Sequence, residues 1–152
     1  MKKKIITAGM ILTSLTSFGQ WTYKVIDSDF DGKFKKAYTA ITNRGWLMME
    51  KSSTAEATPF LALAGSYFCD ETTFVDVVFV VGGVKHQYSL YALKATDSRM
   101  YYFSDEIWTD EFTAHFKAAS KCLIRVNQEH CTDDYYTLNM SGSSAAYNFI
   151  VK

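Results

Sequence analysis

Two short stretches of this chain carry side chains that could act together. Asp27-Ser28-Asp29-Phe30-Asp31-Gly32 matches the opening of an EF-hand calcium loop, in which oxygen ligands alternate and a glycine makes the bend. The second half of that pattern fails. Its twelfth position, where a bidentate Glu belongs, is Tyr38, and Lys33, Lys35 and Lys36 bring positive charge to the same place. The run is therefore expected to be a turn whose carboxylates bond backbone amides, with no calcium site. His130 and Cys131, with Asp133 and Asp134 close by, could be drawn as a second metal site. Adjacent ligands do not converge easily on one ion and no paired zinc spacing is present, so no metal ligand is assigned.

Nucleophilic chemistry finds no better support. Gly142-Ser143-Ser144-Ala145-Ala146 lacks the second glycine of a nucleophile elbow. His86 falls on the apolar face of a hairpin, and His115 stands beside Phe116 on a helix, where packing and solvation account for them. The carboxylates Asp105, Glu106, Asp110 and Glu111 gather before and at a helix start, which favours acids whatever the function. No catalytic residue and no cofactor are assigned. Aromatic residues remain, and Tyr101, Tyr102 and Trp108 are the candidates for an exposed binding surface that stacks on sugars or meets a protein.

The elements that must position these residues are mostly strands. Trp21–Asp27 alternates Trp21, Tyr23 and Val25 against Thr22 and Lys24. Lys33–Thr42 follows, with Phe34, Tyr38 and Ala40 on one face, and Asn43-Arg44-Gly45 makes a turn into Trp46–Met49. Lys51–Thr58 is the one linker-like run, ended by Pro59, the sole proline. Phe60–Leu63, Tyr67–Cys69 and Arg99–Phe103 are further short strands. Between them, Gly82-Gly83 joins Phe74–Val81 to Val84–Tyr91 as a tight hairpin, placing Val81 opposite Val84, Phe79 opposite His86 and Val75 opposite Leu90. Asp110 is expected to cap a helix carrying Phe112, Phe116 and Ala119. Lys121–Asn127 and Tyr135–Ser141 form a last hairpin around the loop Gln128–Asp134, and Ser141–Lys152 ends in a short helix. The fold class expected is mainly β: an antiparallel β-sandwich with one or two short helices, one domain over residues 20–152.

Lys2, Lys3 and Lys4, an apolar run Ile5–Leu15, and the small residues Ser17 and Gly19 read as a signal peptide over residues 1–19, cut ahead of Gln20. That apolar run is shorter than the roughly 20 residues needed to span a bilayer. The 152-residue chain carries 16 basic and 16 acidic side chains, so losing three lysines leaves about −3. No basic run survives, which argues against nucleic acid as a partner. A secreted or periplasmic address follows, and there cysteines oxidise. Of Cys69, Cys122 and Cys131, the expected bridge is Cys122–Cys131, closing the short hairpin loop and leaving Cys69 free; a bridge from Cys69 is the alternative.

The Asp29-Phe-Asp-Gly32 turn followed by Lys33-Phe-Lys-Lys-Ala-Tyr38 resembles a group of small exported bacterial envelope proteins. So do Phe112–Lys117, Leu123–Val126, Cys131 and Gly142–Ala145. The layout is similar to the invasion-associated locus B proteins and the related type VI secretion accessory proteins. This resemblance implies an exported β-sandwich and carries no catalytic residue. The reading is an exported, non-catalytic module that binds an envelope protein or a surface glycan; an extracytoplasmic hydrolase is the alternative.

Overall fold

The computed structural model describes residues 20–28, 32–52, 58–96 and 99–152, so the leader lies outside the described residues, as do residues 29–31 of the calcium-like turn and residues 53–57 of the linker. Among the described residues there are nine strands: β1 (Trp21–Ser28), β2 (Gly32–Ala40), β3 (Trp46–Ser52), β4 (Phe60–Ala64), β5 (Thr72–Val81), β6 (Val84–Lys94), β7 (Met100–Phe103), β8 (Lys121–Val126) and β9 (Asp134–Asn139). Two helices join them, α1 (Asp110–Ala118) and α2 (Ser143–Val151). Tyr67–Cys69, expected as a strand, is a connecting segment in which Phe68 is buried.

All nine strands belong to one antiparallel sheet, in the order β1-β2-β3-β4-β7-β6-β5-β8-β9. This corrects the expected sandwich: alternation marks which face is buried but not what buries it, and here two helices take the place of a second sheet. The sheet is curved but not closed. The β2–β3 turn reaches across to β9, where Thr42 N–H donates to the Thr137 carbonyl (3.2 Å) and Thr137 N–H to Thr42 Oγ1 (2.7 Å).

The glycine hairpin forms in the expected register, with Gly82 and Gly83 both at positive φ (56° and 84°) as a tight turn between right-twisted strands requires. Inside the curve, Val77 and Phe79 meet Phe112 and Phe116 of α1. Phe79 packs edge-on against Phe112 (5.2 Å between ring centres) and Phe116 (6.0 Å), and Trp21 from the far edge strand reaches Phe116 (6.1 Å). Each such ring contributes roughly 1.5–3 kcal/mol through burial. The cap of α1 is Thr109 rather than Asp110: its hydroxyl accepts from Phe112 N–H (3.2 Å), and Asp110 is the first helical residue. α2 begins after Gly142 at φ 86° and buries Ala146 and Ile150 on the same core.

Candidate functional site

With helices filling the concave side, the other set of alternate residues lies on an outer face that no described element covers. Three aromatic pairs stand on it: Tyr38 with Trp46, Phe60 with Tyr102, and Phe74 with Tyr91. Their ring centres are 5.6, 5.5 and 5.6 Å apart, each pair edge to face near 60°. In sheet order they occupy β2/β3, β4/β7 and β6/β5, so one pair recurs every second strand, about 10 Å apart at the usual strand spacing. The register makes the stripe continuous, since Leu93 faces Tyr102, Tyr102 faces Ala62, Ala62 faces Met48 and Met48 faces Tyr38. Trp46 (46% exposed), Tyr102 (37%), Tyr91 (46%) and Phe74 (56%) present their rings to solvent.

Two hollows lie along the stripe. One, of about 350 Å³, sits over Tyr38, Trp46, Met48, Ala64 and Met100, with Lys24 and Lys36 beside it. Lys24 Nζ stands 5.4 Å from the Tyr38 ring, and Lys36 pairs with Glu50 at 2.7 Å. The other is an open cleft of about 670 Å³ at the Phe74–Tyr91 end, lined also by Asp70, Glu71, Asn127, Glu129, His130 and Asp133.

Two connecting loops build that cleft, and the Cys69–Cys131 disulfide ties them together. This corrects the expected Cys122–Cys131 bridge. Cys122 points inward from β8 and is buried as the free thiol. Four residues of extended strand, about 13 Å, separate it from the loop that carries Cys131, and a disulfide tolerates at most about 7 Å between Cα atoms. Buried Gln128 completes the frame: its Oε1 accepts from Cys69 N–H (2.9 Å) while its amide donates to the Thr132 carbonyl (3.0 Å) and to Asp134 (3.2 Å). Asp70 receives Glu129 N–H (2.8 Å) on one oxygen and His130 Nδ1 (2.5 Å) on the other. That bond to His130 holds the Asp70 carboxyl below its usual range, and the same bond raises the imidazole above its own. Burial raises Asp134 and pushes the neighbouring Tyr136 phenol up to about 12.

The sequence-derived candidates scatter. Tyr101 faces inward and is fully buried, which corrects its place on a binding surface. Its hydroxyl donates to the Asp70 carbonyl (2.7 Å), and burial pushes the phenol up to about 12. Tyr102, its neighbour, takes the outer face because strand residues alternate. Trp108 is half-buried against Phe112 and Phe116 and donates its indole N–H to the Pro59 carbonyl (2.5 Å), so it anchors a loop to the core. His86 and His115 do come together, stacked at 3.7 Å, and Tyr88 contacts His115 Nδ1 at 2.5 Å. His130 and Asp133 line the cleft, whereas Asp134 is spent on Gln128. Among the described residues no three ligand-type side chains are grouped as a metal would need. Phe74, Tyr91 and Asp70 were missed, although extending the hairpin register puts Phe74 opposite Tyr91 on the mixed face.

No protein-family profile, characterised protein or solved structure matches this chain. No helix among the described residues is long and apolar enough to cross a membrane.

Proposed function

We propose that this protein is an exported, non-catalytic envelope module that binds an extended surface glycan along the outer face of its sheet. One observation carries the reading: exposed aromatic pairs recur every second strand on an uncovered face, a spacing close to the length of a disaccharide. The apolar C–H face of a sugar packs on such rings, and the amide and carboxylates of the cleft offer partners for hydroxyls. Export to the periplasm or beyond fits the lysine-led leader and a disulfide, which persists in oxidising compartments. An acidic mature chain suits a glycan better than nucleic acid. On this reading the resemblance to exported accessory proteins extends to a binding role.

The test is sedimentation of the purified protein with peptidoglycan sacculi, chitin and cellulose. Wild type should pellet with at least one. Phe74→Ala with Tyr91→Ala, or Trp46→Ala alone, should weaken retention several-fold, at about 1 kcal/mol per ring, with melting nearly unchanged because the rings are exposed. A wild type that stays in the supernatant with all three polymers, or variants that pellet equally, refutes the reading.

A hydrolase is the second reading, and one contact favours it: Asp70 engages His130 Nδ1 as a carboxylate orients a catalytic imidazole. Against it, the Thr73 hydroxyl in the cleft lining donates to the Asn127 carbonyl and not to the imidazole. Polymer turnover lost in His130→Ala would support it.

A further inference from the structure

We propose, building on the glycan reading, that the cleft at the Phe74–Tyr91 pair is a subsite for a sugar bearing a protonated amine. The two rings supply an exposed apolar platform, and the charge around them selects what rests on it. Asp70, Glu71, Glu129 and Asp133 line the cleft, against His130 as its one lining cation. Lys94 donates to the Cys69 carbonyl (3.0 Å), its side chain is only 8% exposed, and it pairs with Glu71 (3.1 Å), so the charge of Glu71 is matched. His130 is held against Asp70, so its charge is matched on the spot. Among the described residues Glu129 and Asp133 form no ion pair, and Asp133 accepts the Gln128 N–H (2.9 Å).

A neutral sugar gains ring stacking here. An amino sugar also gains a cation over the aromatic faces and carboxylates beside it, each worth more where the rings exclude water. A carboxylated sugar meets like charge. The other end of the stripe has the opposite character, with Lys24 and Lys36 beside Trp46, so the preference for an amine belongs to this end alone.

The probes are two matched hexasaccharides, one of glucosamine and one of N-acetylglucosamine, titrated calorimetrically into the purified protein at mildly acidic pH and low salt. The free-amine hexamer should bind about tenfold more tightly, and its advantage should shrink as salt is raised. Glu129→Gln with Asp133→Asn, which removes the two carboxylates that form no ion pair, should bring the two affinities together by weakening the free-amine hexamer far more than the acetylated one. Glu129→Gln alone, on an exposed side chain, should move them part of the way and guards against a folding effect of the Asp133 change. Equal affinities, tighter binding of the acetylated hexamer, or no binding of either overturns the amine assignment. The glycan reading is decided separately, by sedimentation of the wild type with sacculi, chitin and cellulose, which should pellet it whichever hexamer binds more tightly.

Discussion

Breaking the Cys69–Cys131 link tests the architecture of the cleft and the thermodynamics of the whole domain together. Replacing both cysteines by alanine frees a loop closed over a sequence separation of 62 residues. In the chain-entropy treatment that closure is worth about 4 kcal/mol, whereas the nine-residue closure of a Cys122–Cys131 bridge would give about 2.6 kcal/mol. The folded cleft should change little. Gln128 still accepts from residue 69 N–H, Glu129 N–H still reaches Asp70, and His130 still holds Asp70. Nearly all the loss should therefore come through the unfolded chain gaining freedom. For a domain of this size the midpoint should fall by roughly 10–15 °C. Scanning calorimetry of the double variant gives the number, and peptide mapping of the unreduced wild type gives the connectivity. A drop of only two or three degrees, or a linked peptide containing Cys122, would sink the reasoning.

Cys122 lies on the inner face under α1, and burial pushes its thiol well above the ordinary range, so a thiol reagent should leave it untouched in the native protein and label it stoichiometrically on unfolding. The Asp70–His130 contact makes stability depend on pH in both directions: the raised imidazole contributes below its unfolded value of 6.5 and loses that contribution as pH rises through its folded value. The lowered carboxyl contributes above 3.8 and loses its share as pH falls through its folded value. The melting difference between wild type and His130→Ala should therefore be largest between about pH 4 and pH 6.5 and shrink on either side; a difference flat across that range would contradict the linkage.

How much of this was legible beforehand depends on the range over which each feature is specified. The glycine hairpin is local: two glycines at positive φ set the turn, and the register then follows by counting, out to Phe74 opposite Tyr91. Both helices and the terminal hairpin are equally local. The joining of β4 to β7 and β5 to β8 is not, because residues 36 or more positions apart must meet, and nothing in their alternation names the partner. A sandwich and a single curved sheet over helices share the same periodicity, so the strand pattern alone could not separate them. The disulfide failed for the same reason: pairing Cys131 with Cys122 assumed that sequence neighbours are spatial neighbours, while β8 carries them apart and the loop before β5 brings Cys69 across instead.

The outer stripe is legible only once the fold is known, and then it becomes hard to ignore. Strand alternation says that Tyr101 and Tyr102 must part company, one inward and one outward, but not which. The inward place goes to Tyr101 because it stacks on buried Phe68 at 4.4 Å and its hydroxyl finds the Asp70 carbonyl. An inward Tyr102 would have no such acceptor assigned and would leave a buried hydroxyl to satisfy. Once Tyr102 is outward, the register carries the same choice across the sheet to Tyr38 on one side and Leu93 on the other. Exposed positions on the outer face of a sheet would ordinarily favour polar residues, since the folded state gains little from apolar ones there. Aromatics in three successive strand pairs gain only about 0.2–1 kcal/mol per pair from one another. A ligand that covered them would add to that, which is why the proposed reading looks to the outer face and not to the Asp134–Gln128 network or the stacked histidines.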